Sequence, residues 1–382
     1  MMPMIKHITP RQIESLIRES VKGQDEAIKS IATALSAHIT RIANIVQNPE
    51  GSAIKKDGFL MVGSSGVGKT ESLRVALKAL HHNFDICIPF CIVDCSRLTS
   101  CGYKGLSADE AVLNGLLASA KMIVSQNPKK YLTSEDCSDE MKRKIATEKL
   151  LVKLSSIGIV VLDEVDKLGM LGVNEQADSY LRLVQCELLK LIEGGSGFTE
   201  DSLCQRIDTT NVMFVLAGAF EHMLNQPKIG YDITDTASEV SDAVTVPDTA
   251  QLITTGGLVR ELCGRISTRC RFRDLKESDL YCILKESKIS PVEDFKRLFI
   301  PTMNILKIDD LALHAVAEKA IKLQTGARGL RNILGEAIYP ILYDIDGQII
   351  GKTITVTEAV ITKGASPLIE PIKKLPPKTA KH

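Results

Sequence analysis

The residues Gly58-Phe-Leu-Met-Val-Gly63-Ser64-Ser65-Gly66-Val67-Gly68-Lys69-Thr70 restrict the fold more than any other stretch of the chain. A short apolar run reads as a buried strand, a glycine-rich turn follows, and from Glu71 the apolar Leu73, Ala76, Leu77 and Leu80 share one helical face. This is G-x-x-x-x-G-K-T in the strand–loop–helix setting that a phosphate-binding loop requires. Glycines let the backbone curl with its N–H groups inward, and the helix N-terminus adds a partial positive charge. Lys69 is expected to reach the β- and γ-phosphates, and the Thr70 hydroxyl to hold Mg²⁺. The stretch predicts a nucleoside-triphosphate site.

Composition excludes several other classes. Lys plus Arg equals Asp plus Glu, 47 of each, so no overall basic field recruits nucleic acid or an anionic membrane. No apolar run approaches the roughly 20 residues of a membrane helix. The N-terminus lacks the basic-then-apolar layout of a secretory signal, and ten cysteines without one read as reduced thiols; a cytoplasmic protein is expected. Cys87, Cys91 and Cys95 recur every four residues in and just beyond Phe84–Val93, a run that reads as a strand. On a strand they spread over about 26 Å, too far apart for one metal, so they read as buried small hydrophobes.

Strands alternate with helices through the first two-thirds of the chain. Residues 10–46 read as helical, with Asp25 as N-cap of the second half. A helix is predicted from about Ser107 to Val124, an exposed excursion over 125–150, and a helix over Tyr180–Glu193. Gly158–Leu162 and Asn211–Gly218 read as strands apolar throughout, which predicts a parallel sheet covered on both faces. Residues 221–256 are rich in Asp, Thr and Ser and read as a mobile loop. From residue 273 to 364 the pattern is mostly helical, with a β-like Lys352–Thr357, and residues 365–382 read as a disordered tail. The predicted fold is α/β, a three-layer large domain over 1–272 followed by a smaller, mainly helical α+β domain.

Asp163-Glu164 directly follow the apolar Gly158–Leu162. A parallel sheet sets such a pair at its C-terminal edge, beside a bound triphosphate. Asp163 is expected to take Mg²⁺ through water, and Glu164 to polarise the attacking water, so hydrolysis is implied beyond binding. Two arginines, Arg265 and Arg328, could stabilise charge on the γ-phosphoryl oxygens. Arg260, Arg269, Arg271 and Arg273 crowd the first, and spacing does not choose among them.

Several stretches together resemble the Clp-type AAA+ unfoldases of the X class. They are Val21-Lys-Gly-Gln24, Gly63–Thr70, Leu162–Leu168, Leu188-Leu-Lys-Leu-Ile-Glu-Gly194, Ala217-Gly-Ala-Phe220, Cys263-Gly-Arg265 and Thr325-Gly-Ala-Arg-Gly-Leu-Arg331. The resemblance runs from about residue 10 to 363. It implies an ATPase that assembles as a ring, typically a hexamer, and threads protein substrates through a central pore with ATP and Mg²⁺. It also implies that Val21 borders the adenine, that Arg265 reaches a neighbouring subunit's γ-phosphate, and that Arg328 is the nucleotide sensor of the small domain. Tyr103, Lys104 and Gly105 would form the substrate-gripping pore loop, with Lys104 where the family carries an apolar residue. Ile229-Gly230-Tyr231 would dock to a Clp-type peptidase, in the place of the family's Ile-Gly-Phe.

Two departures accompany that likeness. The family's N-terminal zinc domain is expected to be missing, and the loop 169–178 lacks its basic cluster at the pore entrance. The expected function is therefore an unfoldase delivering substrates to a peptidase. The alternatives are a remodelling ATPase without a peptidase, an ATP-controlled nucleic-acid motor or switch, and a nucleotide-bound scaffold with negligible turnover.

Overall fold

A computed structural model describes residues 7–47, 54–99, 105–132, 139–169, 175–199, 205–224, 246–345 and 350–372. The chain divides into two compact units, Met1–Ile17 with Gln24–Ser64 and Lys69–Arg273, and Arg18–Gly23 with Ser65–Gly68 and Asp274–His382. The second unit thus starts one residue after the expected boundary and takes in two short segments from earlier in the chain. Hydrogen bonds account for both: Ser287 Oγ donates to the Ser20 carbonyl at 2.6 Å, and Ala327 N–H donates to the Gly66 carbonyl at 3.2 Å.

The first unit is built on strands β1 (Gly58–Val62), β2 (Phe90–Asp94), β3 (Ile159–Asp163), β6 (Met213–Gly218) and β7 (Ile266–Arg271). They form one sheet in the order β2-β3-β6-β1-β7, and every pairing is parallel. All residues of β1 and β6 are buried, which is why their sequences do not alternate. Each fully covered Leu or Val there contributes about 1.5–3 kcal/mol. Helices α1 (Pro10–Arg18), α2 (Asp25–Gln47), α3 (Lys69–Phe84), α4 (Ala108–Gln126), α5 (Pro128–Tyr131), α6 (Glu140–Ser155) and α7 (Glu175–Glu193) flank or connect the strands. A small antiparallel pair, β4 (Ser196–Phe198) with β5 (Arg206–Asp208), is joined to this unit's core through the buried Ile207 and has no earlier sign in the sequence. Its strands are only three residues long, too short for a period to register. No helix among the described residues is long and apolar enough to cross a membrane.

The second unit packs helices Glu277–Glu286, Pro291–Leu298, Asp310–Lys322 and Gly326–Ile345 around a core centred on Phe295, Phe299, Val316 and Leu334. A three-stranded sheet completes it: β8 (Ile305–Ile308) runs parallel to β9 (Lys352–Val356), and β10 (Leu368–Pro371) runs antiparallel to β9.

Five expectations need correction. Gln24, not Asp25, precedes α2, because the Gln24 carbonyl accepts the Ile28 N–H at 2.9 Å. Phe84 ends α3 rather than opening a strand: Asp85 turns left-handed at φ 57° and its N–H closes on the His81 carbonyl. Cys87 therefore lies in a loop, while Cys91 and Cys95 sit in or against the core, where burial pushes the Cys91 thiol up to about 12. The stretch read as an excursion turns helical at Glu140, in a helix that runs on to Ser155, capped by Asp139 and anchored by Leu150, Leu151 and Leu154. Within the stretch read as a mobile loop, Thr249–Thr254 form a helix fixed by a reciprocal Asp248–Gln251 capping box and a buried Leu252. Finally, β10 falls inside the segment read as a disordered tail; its side chains are exposed, Leu368 and Ile369 included, and backbone pairing to β9 holds it.

Helix α2 is tied to the sheet by a buried polar network. Arg41 donates to His38 Nδ1 at 3.0 Å and to Asn211 Oδ1 and O at 3.2 and 2.7 Å. A guanidinium only donates, so His38 Nδ1 accepts and its Nε2–H is left for the Ile157 carbonyl, 3.1 Å away. Burial first, and then Arg41, lower the His38 pKa from 6.5 to about 3. The unfolded chain thus binds a proton between pH 6.5 and 3 that the folded chain refuses, and stability falls as pH drops through that window. Between pH 6.5 and 5 the expected loss is about 2 kcal/mol. His38→Gln should flatten that part of the thermal-midpoint profile; an unchanged profile would remove His38 as its source.

Candidate active site

The phosphate loop starts from a strand end that is pinned on both sides. Gly63 N–H donates to the Gly218 carbonyl of β6 at 3.2 Å, and Phe272 N–H donates to the Val62 carbonyl at 2.7 Å. A Cβ at Gly63 would fall 2.7 Å from the Phe272 carbonyl oxygen, so only glycine fits. Gly66 and Gly68 have φ of 81° and 98°, the left-handed turns that point successive N–H groups to one side and form an anion-binding nest. Val67 between them is buried and anchors the loop, while Ser64 and Ser65 lie at its tip. Helix α3 begins directly at Lys69, and the Lys69 ammonium donates to the carbonyls of Gly63 and Ser64. The cation is thereby held at the loop mouth, where phosphate oxygens would replace these weaker carbonyl partners.

Strand β3 supplies the acidic half. The Thr70 hydroxyl donates to Asp163 Oδ2 at 2.9 Å, and Glu164 N–H donates to Asp163 Oδ1 at 3.0 Å. Asp163 thus bridges α3 to the turn that carries Glu164. Glu164 has φ 56°, a conformation that a non-glycine residue adopts at a cost of about 1–3 kcal/mol and that is concentrated at functional sites. Its carboxylate is exposed to solvent, where a water can reach it. The oxygen donors of Thr70 and Asp163 are the hard ligands that Mg²⁺ prefers, so the residues present fit that ion.

Two further residues shape this edge without any signal in the motif spacing. Asp166 is buried, and its Oδ1 accepts the Ala219 N–H at 3.2 Å, joining the turn after β3 to the end of β6. Gln24 is also buried; its amide donates to the Arg273 carbonyl at 2.8 Å and accepts the Arg273 N–H at 3.1 Å. It copies a strand pairing just beyond β7. A polar residue in a matched stretch was the only available hint.

The other sequence-derived residues fall in several places. Val21 is half-buried in the turn between α1 and α2. In the second unit, Arg328 near the start of helix Gly326–Ile345 donates from Nη1 to Ser65 Oγ at 2.9 Å. Arg265 precedes β7, at the N-terminal edge of the sheet, and its guanidinium pairs with Glu193. Its crowding neighbour Arg269 is instead engaged by Pro247 O and Thr249 Oγ1. Tyr103, Lys104, Ile229, Gly230 and Tyr231 lie outside the described residues. Gly105 is described, and with it the residues that flank the segment containing Tyr103. Thr99 N–H donates to the Leu106 carbonyl at 2.9 Å, and a Cβ on Gly105 would collide with Thr99.

Residues 55–269 match the AAA domain (Cdc48 subfamily) family. The chain is also similar along most of its length to ATP-dependent Clp protease ATP-binding subunits ClpX. It is 28% identical to that of Treponema denticola, over 97% of this chain and 85% of the relative. The identity is likewise 28% to that of Borrelia duttonii, over 94% and 80%, and to that of Bacteroides thetaiotaomicron, over 89% and 78%. The phosphate loop and both carboxylates lie inside the matched segment, which spans more than half of the residues, and the protein accordingly belongs to the AAA family and is an ATPase with a ClpX-like sequence.

Proposed function

We propose that this ATPase is a ring-forming protein unfoldase that threads substrates through a central pore and passes them to a Clp-type peptidase. The observation that carries the reading is the ClpX-like sequence over nearly the whole chain, joined to a hydrolysis-competent arrangement of Lys69, Thr70, Asp163 and Glu164. A protein that only held nucleotide would not need a strained, solvent-facing Glu164 beside the loop.

The residues divide the work. Gly63 through Gly68 present backbone N–H groups to the phosphates, and Lys69 neutralises their β- and γ-oxygens. Thr70 and Asp163 would hold Mg²⁺, whose chemistry there is charge neutralisation across the phosphates. Glu164 orients the attacking water and takes its proton. Val21 would lie against the base, and Arg328 would sense the nucleotide from its position beside Ser65. Arg265 would act on the nucleotide of a neighbouring copy.

Tyr103, with Lys104 and Gly105, would grip the substrate chain. An aromatic ring packs against any extended polypeptide without reading its sequence, and the Thr99–Leu106 bond supports this by fixing the loop's base. Ile229-Gly230-Tyr231 would dock to the peptidase.

The test is ATP turnover with and without an unfolded protein chain, for the native sequence and for Tyr103→Ala. Stimulation by the chain that disappears in Tyr103→Ala is expected. Turnover indifferent to the chain in both proteins would sink the threading reading and leave an ATPase with another task.

A further inference from the structure

The C-terminal end of α3 gathers three metal-ligating side chains far from the nucleotide site. The donor atoms of His81, Asp85 and Cys87 all lie within 4.8 Å of one another. Their convergence follows from the local backbone. Asp85 adopts φ 57°, its N–H donates to the His81 carbonyl at 3.0 Å, and Ile86 N–H reaches the Leu80 carbonyl at 3.4 Å. This helix-ending turn folds the Asp85 carboxylate back over His81 and brings Cys87 up beside both. The negative end of the helix dipole lies at the same place and favours a cation.

A second element points to a ligand independently. Tyr131, on α5, is 3% exposed, and its hydroxyl meets no hydrogen-bond partner among the described residues. The thiol of Cys87 is the group beside it, without hydrogen-bond geometry to it. A buried phenol with no acceptor is costly, and a metal-bound thiolate is a far better acceptor than a thiol. The adjacent Lys130 donates from Nζ to the Asp85 carbonyl at 2.9 Å and holds Asp85 Oδ1 at 2.6 Å. That ion pair engages Asp85 Oδ1 and leaves Oδ2 as the carboxylate's second oxygen. The two neighbours on α5 are placed as an outer shell of such a centre would be, Lys130 holding the carboxylate and Tyr131 keeping an unused donor beside the sulfur.

We propose that His81 Nδ1 or Nε2, Asp85 Oδ2 and Cys87 Sγ bind a divalent zinc-class ion, with a water completing the tetrahedron. A nitrogen, a carboxylate oxygen and a thiolate are a zinc donor set, and harder ions such as Mg²⁺ do not take thiolate. Tetrahedral zinc needs its donors about 3.5 Å apart, so the exposed His81 and Asp85 side chains close by roughly 1 Å on binding. Binding expels the Cys87 proton to solvent. The ion staples the end of α3 to the loop that leads into β2, and it lies about 24 Å along α3 from Lys69.

The test titrates Co²⁺ and Zn²⁺ into the full chain, stripped with chelator and free of nucleotide, so that no phosphate-bound metal contributes. One Co²⁺ per chain is expected, with intense tetrahedral ligand-field bands and a near-ultraviolet thiolate charge-transfer band that Zn²⁺ bleaches. Cys87→Ser should abolish the charge-transfer band, and His81→Ala should weaken affinity at least about tenfold. Tyr131→Phe keeps the packing and removes only the hydroxyl; it should retain one ion per chain at about tenfold lower affinity. ATP turnover of Cys87→Ser should match the native protein. Cobalt uptake without a thiolate band, or a band that survives in Cys87→Ser, would overturn the site.

Discussion

Glu164→Gln is expected to lower ATP turnover by about 10²–10⁴-fold while nucleotide still binds. The amide has the shape of the carboxylate and cannot take a proton from water. The turn should survive the change, because what fixes it is backbone: Glu164 N–H on Asp163 Oδ1, and Lys167 N–H on the Glu164 carbonyl at 3.0 Å. The phosphate loop, Lys69 and the Thr70–Asp163 bond involve no part of the Glu164 side chain. Affinity for ATP, measured by equilibrium dialysis or a fluorescent analogue, should therefore change little. Asp163→Asn offers the contrast: it weakens the oxygen set for Mg²⁺ and disturbs both Thr70 and Glu164, so binding and turnover should fall together. A Glu164→Gln protein that hydrolyses ATP within a few-fold of native would remove Glu164 from the water-activating role.

What could be read in the sequence was local and dense. Gly63–Thr70 and Asp163-Glu164 are contiguous motifs, and the apolar runs of β1, β3 and β6 are unmistakable because both faces of those strands are buried. What could not be read depends on contacts distant along the chain. Asp166 meets Ala219 and Gln24 meets Arg273, pairings that no spacing rule encodes. The strand read at Phe84–Val93 failed for a different reason. Phe84-Asp-Ile-Cys-Ile-Pro-Phe is apolar enough for a strand, but the choice turned on Asp85 accepting a left-handed backbone, a preference weaker in Asp than in Gly. That same corner makes the His81–Asp85–Cys87 cluster, so a linear count of cysteines could not find it. At β10 the misleading signal was composition: Pro and Lys suggested disorder, while the strand needs only backbone groups to pair with β9.

Arg265→Ala is expected to reduce turnover by about 10³–10⁵-fold, the range over which an arginine finger acts. Position is the argument. Arg265 sits where β7 begins, its carbonyl accepting the Gly58 N–H, whereas Asp163 ends β3 and Lys69 comes after the C-terminal end of β1. Five-residue parallel strands set these two edges roughly 17 Å apart, so Arg265 does not serve the phosphates bound by its own loop. It is half-exposed and held by Glu193, an ion pair at the surface worth at most about 1 kcal/mol, so the thermal midpoint of Arg265→Ala should hardly move while turnover collapses. Arg265→Lys should not restore it, because an ammonium lacks the planar fork that spans two phosphoryl oxygens. Mixing gives the decisive measurement. Arg265→Ala chains keep Glu164, and Glu164→Gln chains keep Arg265; neither alone should turn over ATP. If the arginine acts on a neighbouring copy, a one-to-one mixture should regain activity at about one interface in four. A mixture as inactive as its components would show that Arg265 does not act on a neighbouring copy, and an Arg265→Ala protein with native turnover would show that it is a surface residue and that the finger must be sought elsewhere.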